Sequence, residues 1–165
     1  MGISELELNS ERLVLVCDTY EAMCRTAEQG DELAIDFSHA YKYHRELAEQ
    51  GLFAEEDLIW YRTWTFYEKS ENKIVGGGLF KGKPNENGYV EIGYGISDDE
   101  QRRGYATEGN GRLVRWALDE MNVAGVTAET ERDNIASIRV LEKLGFEKTH
   151  ETDEFSYWLK QKISG

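Results

Sequence analysis

The stretch from Tyr89 to Thr107, YVEIGYGISDDEQRRGYAT, constrains this chain more than any other. It starts as a strand that contains Gly93 and Gly95, passes through the acidic loop Asp98-Asp99-Glu100 and reaches Gly104 at the foot of a helix. Glycines inside a strand mark a bulge or a close approach by another backbone or a ligand. A helix start carries backbone N–H groups with no internal partner and the positive end of the helix dipole. Successive N–H groups from Arg102 to Thr107 would therefore make a seat for an anion the size of a pyrophosphate. Gly104 lets backbone approach phosphate where a Cβ would intrude. An ordinary strand-to-helix turn uses the same residue types, so the pattern by itself leaves both readings open. Two common phosphate loops do not fit. No G-x-x-x-x-G-K-[ST] string occurs, and Asp98 stands where a dinucleotide fingerprint begun at Gly93 needs its third glycine.

The rest of the chain places this unit in a mixed α/β order. Glu11 to Cys17 reads as a first strand, residues 18 to 50 as helices broken near Gly30-Asp31, and Leu58 to Glu68, Lys73 to Phe80 and Tyr89 to Ile96 as strands. The second of these contains a flexible run, Gly76-Gly77-Gly78. The turn KGKPNENG separates the last two. Arg103 to Met121 reads as a helix with one apolar stripe, Val123 to Thr130 as a strand, and Asn134 to Leu144 as a helix stopped by Gly145. Phe146 to Thr149 and Phe155 to Leu159 close the chain as strands. The expected architecture is α/β (α+β mixed), with one central, mostly antiparallel twisted sheet of about seven strands flanked by about four helices. With 165 residues, no repeat and a single proline, Pro84, the chain 1–165 reads as a single domain.

Charge narrows the partners. Nineteen Lys and Arg stand against 32 Asp and Glu, a net charge of −13. Nucleic acid and anionic membrane surfaces are therefore poor partners, because phosphate binding needs clustered cations. No apolar run approaches the length of a membrane span, and the start MGISELELNS has neither a basic region nor an apolar one, so no signal peptide is expected. Cys17 and Cys24 read as reduced thiols of a cytoplasmic protein.

Gln101-Arg102-Arg103-Gly104-Tyr105-Ala106 resembles the Q/R-x-x-G-x-G/A motif of the GNAT superfamily of N-acetyltransferases. The extension GYATE is similar to the branch that contains the ribosomal-protein N-terminal acetyltransferases. A second segment agrees, Asn134-Ile135-Ala136-Ser137 followed by Val140-Leu141-Glu142-Lys143-Leu144-Gly145-Phe146. The resemblance covers essentially the whole chain. It implies acetyl-CoA as co-substrate and a primary amine as acceptor (a protein N-terminus or a small amine). The acetyl-CoA pyrophosphate would lie on Arg102, Arg103, Gly104, Tyr105, Ala106 and Thr107. The pantetheine arm would pair with strand backbone around Tyr94, Gly95 and Ile96, splayed at a bulge, and Asn134 would bond the arm. Arg139 and Lys143 are weaker candidates for the adenosine-side phosphates. Homodimers are frequent in the superfamily, and the oligomeric state is left open.

Acetyl transfer to an amine needs a positioned thioester, a donor for the developing oxyanion, a route for the ammonium proton and a proton for the leaving thiolate. A strand N–H near Ile96 fits the second need. Glu91 and Glu129 are the carboxylates expected for the third; Glu129 lies five residues before Asn134, where the resembling enzymes carry a catalytic glutamate. Those enzymes also carry a tyrosine seven residues after the motif asparagine. That position is Leu141 here, so Ser137 is the candidate acid, and Tyr94 and Tyr157 are remoter options. An acetyl-cysteine intermediate is not expected, nor is a metal set among His39, His44 and His150. The aromatic residues Tyr41, Tyr43, Phe53, Trp60, Tyr61, Trp64, Phe66 and Tyr67 are expected mostly in the core, with some free to shape acceptor choice.

Overall fold

The computed structural model of the protein describes residues 6–19, 22, 46, 50–51, 55–120 and 122–163. The helices expected over 18–50, and with them His39, His44, Cys24, Tyr41, Tyr43 and Phe53, lie outside or almost wholly outside these residues. The described chain builds eight strands: β1 (Glu7–Asn9), β2 (Leu13–Cys17), β3 (Thr63–Glu68), β4 (Lys73–Phe80), β5 (Tyr89–Ile96), β6 (Gly125–Glu131), β7 (Glu147–Glu151) and β8 (Phe155–Gln161). Two α-helices accompany them, α1 (Tyr105–Asp119) and α2 (Ile135–Lys143). The strands form one sheet in the order β1-β2-β3-β4-β5-β6-β8-β7. Every neighbouring pair is antiparallel except β5–β6, which α1 joins by a crossover and which is parallel.

Most elements fall where periodicity places them, and two do not. β1 is short and pairs through only three residues, Glu7 to Asn9 against Val14 to Val16, too few to show a period. The run Leu58 to Glu68 is divided: Glu55–Tyr61 is a 3-10 helix and only Thr63–Glu68 is strand. The turn carries Trp60 inward, where its ring meets Phe80 at 5.3 Å and Trp116 of α1 at 5.2 Å. β4 has the expected bounds, but its Gly76, Gly77 and Gly78 are not a flexible run: they are buried in mid-sheet, paired with Phe66, Thr65 and Trp64 on one side and Ile96, Gly95 and Tyr94 on the other.

The apolar stripe of α1 packs Leu113, Val114 and Ala117 on the sheet face that carries Trp64, Phe66, Val90 and Val126, all buried. Gly109 lets the helix approach closely: a Cβ there would lie 2.6 Å from the Phe66 ring. Both helices end against lysines of the β8 region. Lys162 Nζ donates to the carbonyl of Glu120 at 2.7 Å after α1, and Lys160 Nζ donates to the carbonyl of Leu144 after α2. Cations satisfy the carbonyl ends of helices and the negative pole of the dipole. Gly145 follows α2 with a φ of 86°, the expected left-handed stop.

Candidate active site

β5 leads directly into the loop singled out by the sequence. The 3-10 turn Asp98–Glu100 follows it, and two left-handed residues, Arg102 (φ 68°) and Gly104 (φ 82°), turn the chain into α1. Positive φ is uncommon for a residue with a Cβ, and here the surroundings hold the loop. Glu100 is buried and pairs with Lys73 at 2.8 Å and Arg103 at 3.3 Å. The Gln101 amide donates to the Ile96 carbonyl at 3.2 Å. The first bond of the α1 ladder runs from Glu108 N–H to Gly104 O at 3.0 Å, so the N–H groups of Tyr105, Ala106 and Thr107 precede the ladder. Gly104 is the N-cap and supplies no side-chain acceptor. Left-handed residues among successive N–H groups form a concave anion seat. The loop thus has a helix start open toward a ligand. Arg103 pairs with Glu100, and the main-chain N–H groups of the loop are left as donors.

The second part of the site is a fork in the sheet. β5 pairs with β6 only at Tyr89–Gly125, Val90–Val126 and Glu91–Thr127, while its pairing with β4 continues to Ile96. Beyond Glu91 the strands part. The Glu91 carbonyl accepts from Lys81 N–H and Ser97 N–H donates to Val75, both toward β4. Strand alternation then turns the N–H and C=O groups of Ile92, Tyr94 and Ile96 toward the gap, and those of Gly93 and Gly95 toward β4. The expected bulge is absent from β5, whose register with β4 runs from Ile92–Phe80 to Ile96–Gly76 without a slip. The gap arises because the parallel partner stops pairing. It offers an extended amide-containing chain the edge it would need to pair as an added strand.

α2 begins at the fork. Asn134 caps it, accepting from the Ser137 N–H at 3.2 Å. Ser137 is half-buried in the first turn. Leu141 is 1% exposed in the core, which leaves no polar group at the position of the tyrosine in the resembling enzymes. Tyr94 extends from β5 toward this turn. Burial raises the pKa of its phenol, and the adjacent Ser137 hydroxyl lowers it in part.

Glu91 and Glu129 stand on the two strands of the fork and on the same sheet face, opposite the one covered by α1, since Val90–Val126 are paired inward and Glu91–Thr127 outward. Glu91 is engaged: its carboxylate takes the Lys81 ammonium at 2.5 Å. Glu129 is exposed, with Tyr157 as its cross-strand neighbour on β8. The Tyr157 ring stacks on His150 at 4.3 Å. Of the thiols, Cys17 is buried, and desolvation pushes its pKa up to about 11, which makes it a poor nucleophile. Among the described residues, no group of three or more His, Cys, Asp or Glu is arranged to hold a metal ion, and no helix is long and apolar enough to cross a membrane.

One part of the site had no signal in the sequence. Arg12, just before β2, donates through Nη1 to the carbonyl of Arg103 at 2.8 Å and lies over the Tyr105 ring at 4.6 Å. It also binds Glu108 in the first turn of α1.

Residues 15–147, most of the chain, match the family described as acetyltransferase (GNAT) domain. The chain belongs to the GNAT acetyltransferase family. Acetyl-CoA is the family's co-substrate, and the main-chain seat at Gly104 and the fork at Tyr94–Ile96 suit a diphosphate joined to an amide-containing arm. Among relatives of this GNAT protein is the uncharacterized N-acetyltransferase YjdG of Bacillus subtilis (strain 168). The two are 37% identical over 124 residues, 75% of this chain and 71% of that protein. Solved structures share the fold, among them two acetyltransferases. The ribosomal-protein-S5-alanine acetyltransferase of Vibrio fischeri superposes with a TM-score of 0.71 at 16% identity, over 95% of this chain and 97% of the other. The spermidine N-acetyltransferase of Vibrio cholerae, solved with CoA and spermine, superposes with a TM-score of 0.68 at 12% identity, over 93% and 97%.

Proposed function

We propose that this GNAT protein, read as one domain over 1–165, transfers the acetyl group of acetyl-CoA to a primary amine by direct attack in a ternary complex, in the cytoplasm. The observation that carries the reading is the fork. It opens the sheet between the face that holds the Gly104 seat and the start of α2, and the face that holds Glu91 and Glu129.

Each residue then has a part. The N–H groups from Arg102 to Thr107 hold the diphosphate, and Asn134 with the gap-facing main-chain groups of Tyr94 holds the arm. The Ile96 N–H is the donor for charge developing on the carbonyl oxygen. Glu129, exposed and without a cation such as the Lys81 that holds Glu91, is the better placed carboxylate to take the ammonium proton. Ser137 supplies a proton to the departing sulfur. The acceptor is an amine that is cationic in solution, drawn by the acidic charge of the chain. A protein N-terminus and a small amine share that chemistry.

The test is thiol release from acetyl-CoA across a panel of N-terminal peptides, polyamines and amino acids, alongside melting curves with acetyl-CoA, ATP and NAD. Turnover with one acceptor class and a melting shift for acetyl-CoA alone are expected. A shift with no turnover on any amine would make the protein an acyl-CoA-binding module instead. Equal shifts with all three nucleotides would remove the cradle assignment.

A further inference from the structure

We infer that Tyr94 completes the proton donor for the leaving thiolate, through a short chain in which the Tyr94 hydroxyl supports Ser137 and Ser137 faces the sulfur. The inference rests on the proposed acetyl transfer and on Ser137 as its acid.

A buried phenol ordinarily finds a hydrogen-bond partner, because leaving the group unpaired costs the desolvation of its hydroxyl. The Tyr94 hydroxyl is buried and makes no hydrogen bond of ordinary geometry. Its ring springs from the strand whose free edge lines the fork, and the side chain beside its hydroxyl is Ser137. Ser137 in turn is fixed by its own N–H on the Asn134 side-chain oxygen. The three residues therefore converge on the start of α2, two of them offering O–H groups. The helix position that would otherwise supply a phenol is occupied by the buried Leu141. A phenol on the neighbouring strand can provide the same group from the other wall of the cleft. A phenol is protonated at neutral pH, as a donor must be, and burial moves its pKa further up.

The step balances. The amine nitrogen forms a bond to the carbonyl carbon, and the carbon–sulfur bond breaks with its electron pair going to sulfur. The Ser137 proton passes to sulfur and the Tyr94 proton passes to Ser137; after the thiol leaves, a solvent proton returns to Tyr94 through the half-buried Ser137, matching the one the amine gave to solvent by way of the base.

The test compares CoA with desulfo-CoA, which lacks only the sulfur atom, by calorimetric titration of the wild type, Tyr94→Phe and Ser137→Ala. The wild type should prefer CoA by about fivefold, the worth of a net hydrogen bond to the sulfur. Tyr94→Phe, which keeps the main-chain groups that face the arm, should abolish that preference without lowering desulfo-CoA affinity or the melting temperature. In turnover, Tyr94→Phe should lower kcat by about tenfold at constant acetyl-CoA KM, and Tyr94→Phe/Ser137→Ala should be no slower than Ser137→Ala alone, as expected of groups acting in one chain. Loss of the sulfur preference in Ser137→Ala but not in Tyr94→Phe overturns the inference and leaves the acid at Ser137. No sulfur preference in any of the three proteins removes Ser137 as well. Failure of both CoA and desulfo-CoA to bind the wild type counts instead against the cradle.

Discussion

Glu108 accepts from Arg12 twice, from the backbone N–H at 2.7 Å and from Nε at 2.7 Å, so one carboxylate ties the turn before β2 to the first turn of α1. Ser10 adds its hydroxyl at 2.5 Å. A glutamate near a helix start would compete with a bound anion for the helix dipole. Arg12 offsets that charge, and its Nη1 holds the Arg103 carbonyl, the acceptor end of a peptide whose N–H partners belong to the anion seat. Replacing Arg12 by Met should raise the acetyl-CoA KM several-fold with little change in kcat, whereas Arg12→Lys should recover only part of the loss, since an ammonium cannot reproduce the guanidinium's fork. An unchanged KM in Arg12→Met would show that the tie serves stability alone.

The same tie has a pH signature. Burial raises the Glu108 pKa, but the Ser10 hydroxyl, the Arg12 N–H and the Arg12 guanidinium outweigh it, and the net displacement is downward. A carboxyl depressed in the folded state contributes stability that is present above its unfolded value, about 4.3, and is lost as pH falls through the folded value. The melting-temperature gap between wild type and Glu108→Gln should therefore be widest near neutrality and close in acid. A gap independent of pH would exclude the charge as its source.

Gly104 is the residue whose replacement should separate binding from folding. Its φ is 82°, and the nearest atom to an added Cβ is the flexible end of Arg12, at 3.2 Å. Gly104→Asp puts an anion on the seat in a residue that tolerates the left-handed region better than most. Acetyl-CoA affinity should fall below detection while the far-ultraviolet spectrum is kept, as read by titration and circular dichroism.

Glu129 and Glu91 predict different losses. Glu129→Gln should lower turnover by about 100-fold or more if it takes the proton, with CoA affinity unchanged. Glu91→Gln frees Lys81 from its partner and should have the smaller effect. Rates measured across pH decide between them, and equal wild-type rates in both variants would leave solvent water as the base.

Gly109→Ala sets two magnitudes against each other. Alanine favours an exposed helix interior over glycine by about 1 kcal/mol, but its methyl would meet the Phe66 ring at 2.6 Å. Overpacking a close-packed core costs about 1–3 kcal/mol or more. The contact should win, with the melting temperature falling by a few degrees.

The left-handed turn at Gly104 and the capped start of α2 were legible in the residues because each is local. A helix start exposes its N–H groups whatever surrounds it, Gly104 sits where a left-handed residue is needed, and Asn134 caps the turn containing Ser137. From β3 onward, the order of strands and α-helices followed likewise from period and turn chemistry. Tertiary structure decided the rest. The fork depends on where the β5–β6 ladder ends, a matter of strand register and twist with no marker in Gly93 or Gly95. The meeting of Tyr94 with Ser137 depends on α2 returning to the edge of β5, and Arg12 with Glu108 joins positions 96 residues apart. Neighbours in the chain settle backbone conformation, but side chains that distant become partners only once the sheet has placed them.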